Sequence, residues 1–75
     1  MDLVVPDLGE VEAVTIVRWL RAEGEEVEAG EAVAEVEAEK AVFVIEAPVA
    51  GTLRNRKPEG TKVRPGEAIA VIQPG

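Results

Sequence analysis

The sequence predicts an all-β domain, a sandwich of two sheets related by a pseudo-two-fold axis, and three observations predict it. Apolar residues fall in alternating or short runs of strand length. One segment occurs twice, Ala22 to Glu37 overlaying Pro58 to Gln73, and both copies read Glu-Gly-x-x-Val-x-x-Gly-Glu-Ala-(Val/Ile)-Ala. Finally, 47% of the residues are hydrophobic but Trp19 and Phe43 are the only aromatics, so the core must be thin and built from Val, Ile, Leu and Ala. Two similar halves, each too small to bury its own face, have to bury it against one another.

The first strand is expected at Leu3 to Val5 and the second at Val14 to Leu20. Helix competes over Val11 to Glu23, which is rich in Glu and Arg, but the β-branched series Val14, Thr15, Ile16, Val17 favours strand. In the first repeat Glu23, Gly24, Val27, Gly30, Glu31, Ala32, Val33 and Ala34 carry the pattern; in the second, Glu59, Gly60, Val63, Gly66, Glu67, Ala68, Ile69 and Ala70 carry it. Shared spacing implies shared backbone geometry, and Gly24, Gly30, Gly60 and Gly66 fall where a turn needs a positive φ or a close chain approach. Further strands are expected at Val33 to Val36, Val42 to Ile45, Gly51 to Leu53 and Ile69 to Ile72. Lys40 stands in Glu37-Ala38-Glu39-Lys40-Ala41, between two of these runs, so its amine should project from a hairpin tip where one half hands over to the other. The termini should then meet at the opposite end. The 75 residues read as one domain, with Pro74 and Gly75 as the start of a linker and the whole as a unit of a longer chain.

Composition removes most chemistry. The chain has no His, Cys, Ser or Tyr, so the usual nucleophiles, neutral-pH bases and soft metal ligands are missing. Seventy-five residues leave no bulk for an enclosed active site, and zero cysteines exclude a disulfide framework. A net charge of −7 argues against nucleic acid and for basic docking faces on protein partners. No apolar run approaches the roughly 20 residues that span a bilayer, so the expectation is a soluble, cytoplasmic, monomeric domain with no membrane partner. Glu35, Glu37 and Glu39 read either as solvent-side strand residues or as a docking row. Trp19 reads as packing at the core edge, and Glu23, Glu25, Glu26 and Glu28 as a solvated turn, with a hard-metal site the alternative. Lys57 and Lys62 read as solvated charges.

The stretch Glu35 to Ala41, followed by Ile45-Glu46-Ala47-Pro48-Val49-Ala50-Gly51-Thr52-Leu53, resembles the lipoyl domains of 2-oxo acid dehydrogenase complexes, as do the opening Val5-Pro6-Asp7-Leu8-Gly9-Glu10 and the segment Trp19 to Gly24. The family pattern is an acidic residue, then Lys, then Ala; it more often has Thr and Asp where this sequence has Ala38 and Glu39. The resemblance covers essentially the whole chain. It implies a flattened β-barrel or sandwich of two four-stranded antiparallel sheets, lipoate attached covalently to Lys40, and recognition through Glu37, Ala38, Glu39 and Ala41. Biotinyl carrier domains share the fold and the Lys-to-Gly spacing but typically flank the lysine with Met; here the neighbours are Glu39 and Ala41. A third reading is an unmodified structural module.

Lysine side chains titrate at ~10.4, so about one amine in a thousand is neutral at pH 7 and attachment needs an external lipoate ligase or lipoyl transferase. The resemblance further implies a thiamine-diphosphate-dependent 2-oxo acid decarboxylase that loads the arm, an acyltransferase core that unloads it, and an FAD-dependent dihydrolipoamide dehydrogenase that reoxidises it. The chain would be a carrier rather than an enzyme, within a dihydrolipoamide acyltransferase. Glu-Lys-Ala and Ala-Pro-Val-Ala-Gly lean toward a pyruvate or branched-chain complex.

Overall fold

The computed structural model describes residues 1–9 and 11–74. Glu10 of the opening motif and Gly75 of the expected linker therefore lie outside the described residues. Eight strands follow one another: β1 (Asp2–Val4), β2 (Val14–Trp19), β3 (Glu26–Val27), β4 (Ala32–Ala38), β5 (Ala41–Glu46), β6 (Gly51–Arg54), β7 (Lys62–Val63) and β8 (Ala68–Gln73). Among the described residues there is no helix, so Val11 to Glu23 resolves to a strand and a turn. The six expected strands are all present, with ends moved by a residue or two. β3 and β7, two residues each, were not anticipated, because one apolar residue beside a charge shows no periodicity.

The strands form two four-stranded antiparallel sheets, ordered β1-β8-β6-β3 and β5-β4-β2-β7. Exchanging β1 with β5, β8 with β4, β6 with β2 and β3 with β7 turns one sheet into the other, which is the pseudo-two-fold axis that the repeat predicts. The repeat carries irregularities as well as strands. Both β4 and β8 bulge at the same point, Val33 and Ile69 being the extra residues. A bulge shifts the alternation by one, which is why Val33 with Ala34, and Ile69 with Ala70, are buried consecutively.

The turns repeat too. Gly24, Gly30, Gly60 and Gly66 all have φ between +84° and +90°, where L side chains are strained. Glu31 accepts a hydrogen bond from the Glu28 backbone N–H and pairs with Arg21; 36 residues on, Glu67 accepts one from Arg64 N–H at 2.9 Å and pairs with Lys57. These backbone donors, assisted by the cations, hold both carboxyls below the usual carboxylate range. Glu23 is lowered in the same way, first by the backbone N–H of Arg56 and then by that of Asn55. Of the carboxylates that the sequence leaves as a solvated turn, Glu23 thus ties two segments together and Glu25 accepts from Ala22 N–H. Among the described residues no group of acids is arranged to hold a metal ion.

The core is apolar throughout the described residues. Leu3, Ile16, Leu53, Ile69 and Ile72 are its largest fully enclosed side chains, each contributing about 1.5–3 kcal/mol by burial. Trp19 packs against this core at its edge. Its indole N–H donates to Lys57 O at 2.8 Å, and the Arg56 guanidinium lies over its ring at 5.4 Å.

Candidate functional site

β4 and β5 form a hairpin whose last pair is Ala38 with Ala41, so Glu39 and Lys40 are the two turn residues. Two-residue hairpins favour primed turns, which need φ above zero and select Gly or Asn. Asn55 is the only described non-Gly residue with positive φ, so this turn is the unprimed kind, and Glu and Lys occupy it without strain. Lys40 and Glu39 are exposed, whereas Ala38 is buried at 6% exposure and anchors the tip to the core. Among the described residues no ion pair or hydrogen bond engages the Lys40 amine. What results is a primary amine on a short turn, held by the seven-residue strand β4 and the six-residue strand β5.

Of the residues that the sequence singles out around Lys40, Glu37 and Ala41 are exposed and flank the turn, while Ala38 faces inward. Glu35 is half-buried on the same outer face as Glu37. Glu12 and Thr15 were missed by sequence reasoning, and Lys62 was read only as a solvated charge. One cross-strand row runs Val42, Glu37, Thr15, Lys62 over β5, β4, β2 and β7, and a shallow depression beside the tip is lined by Glu12, Thr15, Glu37, Ala38, Glu39 and Lys62, among others. The only available signal was the repeat, which aligns Val63 with Val27 and so places Lys62 on a strand once Val27 is known to be on one.

The tip stands far from the chain ends. Met1 and Ile72 exchange backbone hydrogen bonds of 2.9 and 2.7 Å, which brings the termini together. The segments containing β2 and β6 run antiparallel to one another, with Gly24 N–H bonded to Leu53 O and Gly60 N–H to Ile16 O. The tip lies level with the start of β2 (Thr15 with Glu37), and the end of β8 lies level with the start of β6 (Thr52 with Gln73). Antiparallel starts are at opposite ends, so the lysine and the termini are too.

An exposed amine on a rigid turn fits the covalent attachment of a carboxylic acid cofactor through an amide. The comparisons agree with that chemistry. The chain is 39% identical to a dihydrolipoyllysine-residue succinyltransferase component of 2-oxoglutarate dehydrogenase complex from Rickettsia felis, aligning over all of this chain and 19% of that protein. It is 40% identical, over 96% of its length and 19% of the relative's, to the dihydrolipoyllysine-residue acetyltransferase component of the acetoin cleaving system from Bacillus subtilis. It thus spans about a fifth of the curated relatives it matches. The solution structure of the lipoyl domain of the 2-oxoglutarate dehydrogenase complex from Azotobacter vinelandii superposes with a TM-score of 0.79 at 27% identity, covering 100% of this chain and 98% of that one. A family model for biotin and lipoyl attachment, described as biotin-requiring enzyme, matches residues 1–72, and on that match the chain belongs to the biotin/lipoyl attachment family.

Proposed function

We propose that this chain is a lipoyl carrier domain that bears lipoate on Lys40 and moves acyl groups and reducing equivalents between the active sites of a cytoplasmic 2-oxo acid dehydrogenase complex. The observation that carries the reading is the Lys40 amine, unpaired among the described residues, at the tip of a hairpin anchored by Ala38. The dihydrolipoyllysine acyltransferase relatives favour lipoate over biotin, and Glu39 and Ala41 beside the lysine favour it again. Their greater length supports placing residues 1–75 as a single carrier unit, with 74–75 opening a linker, inside an acyltransferase chain. The relatives serve 2-oxoglutarate, acetoin and pyruvate systems, so they do not select one substrate.

In the attachment step Lys40 Nζ bonds to the carbonyl carbon of an activated lipoate, loses a proton and displaces the activating group. A ligase or lipoyl transferase supplies the activated acid and the base. Lipoate, once bound, supplies a disulfide that can be reduced and acylated. The chain's own residues hold the arm: Ala38 locks the tip to the core, Glu37, Glu39 and Ala41 present the lysine for recognition, and the apolar interior keeps the platform rigid. Tethering raises the effective concentration of the loaded arm near the decarboxylase, the acyltransferase core and dihydrolipoamide dehydrogenase.

Intact mass and peptide mapping after incubation with lipoate ligase, lipoate and ATP test the reading. One lipoyl increment on Lys40, none in Lys40→Arg, and none with biotin ligase and biotin is the expected result. Biotin at Lys40 would move the domain to the carboxylases. The folded Lys40→Arg variant should be silent in reductive acylation, and acylation retained there would overturn the assignment.

A further inference from the structure

Lysine is scarce in this chain: Lys40, Lys57 and Lys62 are the only three. With Lys40 occupied, two side-chain amines remain, and the fold treats them differently. Lys62 lies on the cross-strand row Val42, Glu37, Thr15, Lys62, whose members point to one face of the sheet. Glu37 and Lys62 are both exposed, and two strand spacings separate them, about 10 Å. The depression beside the tip runs the same way, from Ala38 and Glu39 at the turn to Lys62. Among the described residues no ion pair or hydrogen bond engages Lys62 Nζ. Lys57, in contrast, is half-buried, and its Nζ lies 3.4 Å from Glu67 Oε2. Its carbonyl accepts from the indole of Trp19, which stands four residues beyond Thr15 on β2, about 13 Å further from the tip. The α-amine of Met1 is bonded to Ile72 O at the opposite end of the body.

We propose that Lys62 is a self-acylated lysine: its amine takes the short acyl group from a thioester carried on the Lys40 arm and keeps it as an amide. The proposal rests on the carrier reading, in which Lys40 holds lipoate. Lys62 Nζ bonds to the acyl carbon and loses a proton, the carbon–sulfur bond breaks, and the sulfur leaves as a thiolate that takes up a proton. No oxidant or other co-reactant is needed. A lysine side chain in amide linkage to an eight-carbon acid outreaches two strand spacings, and such a tether holds its thioester near mM concentration around the tip. Lys62 stands within that volume, and Val11, Ala13 and Ala38 give the depression an apolar lining for the acyl chain. Lysine amines are mostly protonated at pH 7, so transfer is slow and marks a thioester that waits uncollected. The mark exchanges the only cation lining the depression, among the described residues, for a neutral amide beside Glu12, Glu37 and Glu39.

The test starts from the domain lipoylated at Lys40, reduced with a phosphine and acetylated on sulfur by thiol exchange with a small thioester. After desalting, intact mass and peptide mapping follow the acetyl that survives hydroxylamine, which cleaves thioesters and spares amides. The expected result is a first-order gain of amide at Lys62, at least about tenfold over Lys57 per thioester loaded. Its rate should not change on dilution, because the mM concentration set by the tether exceeds that of a domain at about 10 μM by roughly a hundredfold. Lys62→Arg should lose this signal and Lys57→Arg should keep it, while unlipoylated domain taken through the same treatment should gain no acetyl after desalting. Amide spread equally over Lys57 and Lys62, a rate that falls with dilution, or a thioester that decays by hydrolysis alone overturns the proposal and leaves the carrier reading intact. A wild-type domain that takes no lipoate at Lys40 removes both.

Discussion

Gly51→Ala tests the packing argument most directly, because Gly51 is required for a reason its backbone angles do not reveal. Its φ is not in the left-handed region, unlike that of the other described glycines. A Cβ placed there would lie 2.5 Å from Gln73 O, 2.9 Å from Gln73 C and 2.8 Å from Ile72 Cγ2. Carbon–oxygen contacts are comfortable at about 3.3 Å, so β6 and β8 must separate by roughly 0.8 Å where Thr52 pairs with Gln73. Two of the three clashing atoms are backbone, so no rotamer change relieves them. Overpacking of this kind costs about 1–3 kcal/mol, against a total stability of ~4–11 kcal/mol for a domain of this size. At about 4–8 °C per kcal/mol, Tm should fall by about 4–24 °C in thermal unfolding followed by circular dichroism. Gly30 supplies the contrast: at φ +84° with nothing within 4 Å, an added Cβ meets open space and costs only the left-handed strain of ~1–2 kcal/mol. Asn, which tolerates that region, should recover most of the loss at Gly30 and none at Gly51. A Gly51→Ala Tm within 2 °C of the parent, roughly half a kcal/mol or less, would refute the close-approach argument.

Two further outcomes follow from the turns and the tryptophan clip. Glu31 and Glu67 titrate in the folded state below the ordinary glutamate value of 4.5, so their stabilisation is complete above that value and is lost as pH falls through the lowered ones. Glu31→Gln/Glu67→Gln keeps an acceptor for the Glu28 and Arg64 N–H groups but removes the charge, and should flatten the acid limb of stability against pH below about 4.5. An unchanged limb in urea titrations would refute the linkage. Trp19→Phe removes the donor to Lys57 O and the better cation–π face for Arg56, and should cost about 1–2 kcal/mol, measured as a lower urea midpoint at constant slope.

What could be read from the sequence was what local spacing dictates. The repeat gave the pseudo-symmetry because it repeats turns, and turns with positive φ accept few residues besides Gly. Lys40 was legible because a two-residue turn between apolar runs has to project its side chains. The facing of β5 was not legible: Val42-Phe43-Val44-Ile45 is a continuous apolar run, and such a run cannot declare which members face water. The structure turns Ile45 inward and leaves both valines out. Thr15 and Lys62 reach the tip's neighbourhood only through strand order β4-β2-β7, a long-range pairing with no local trace. Glu23 and Glu25, read as part of a solvated turn, instead accept from backbone N–H groups, of Asn55 and Arg56 and of Ala22, partners that sequence composition does not display.

The pseudo-symmetry also explains why the exposed Lys40 amine on this hairpin stands clear of the chain ends. Register equates Leu3 with Ile45, since Leu3 pairs with Ala70 and Ile45 with Ala34, the same position in the two repeats. By the same offset Met1 matches Phe43, so extending the chain before Met1 and beyond Gln73 would meet where Glu39 and Lys40 close the other half. One sheet therefore spends that position on a turn and the other spends it on chain ends. Antiparallel β2 and β6 then force the two positions to opposite ends of a body 35 Å long. Any chain continuing from either terminus leaves at the end away from Lys40, so a tether can hold the domain without covering the amine. Under the proposed carrier role, mobility would come from such a tether and from the modified side chain, and the sandwich between them has only to stay rigid.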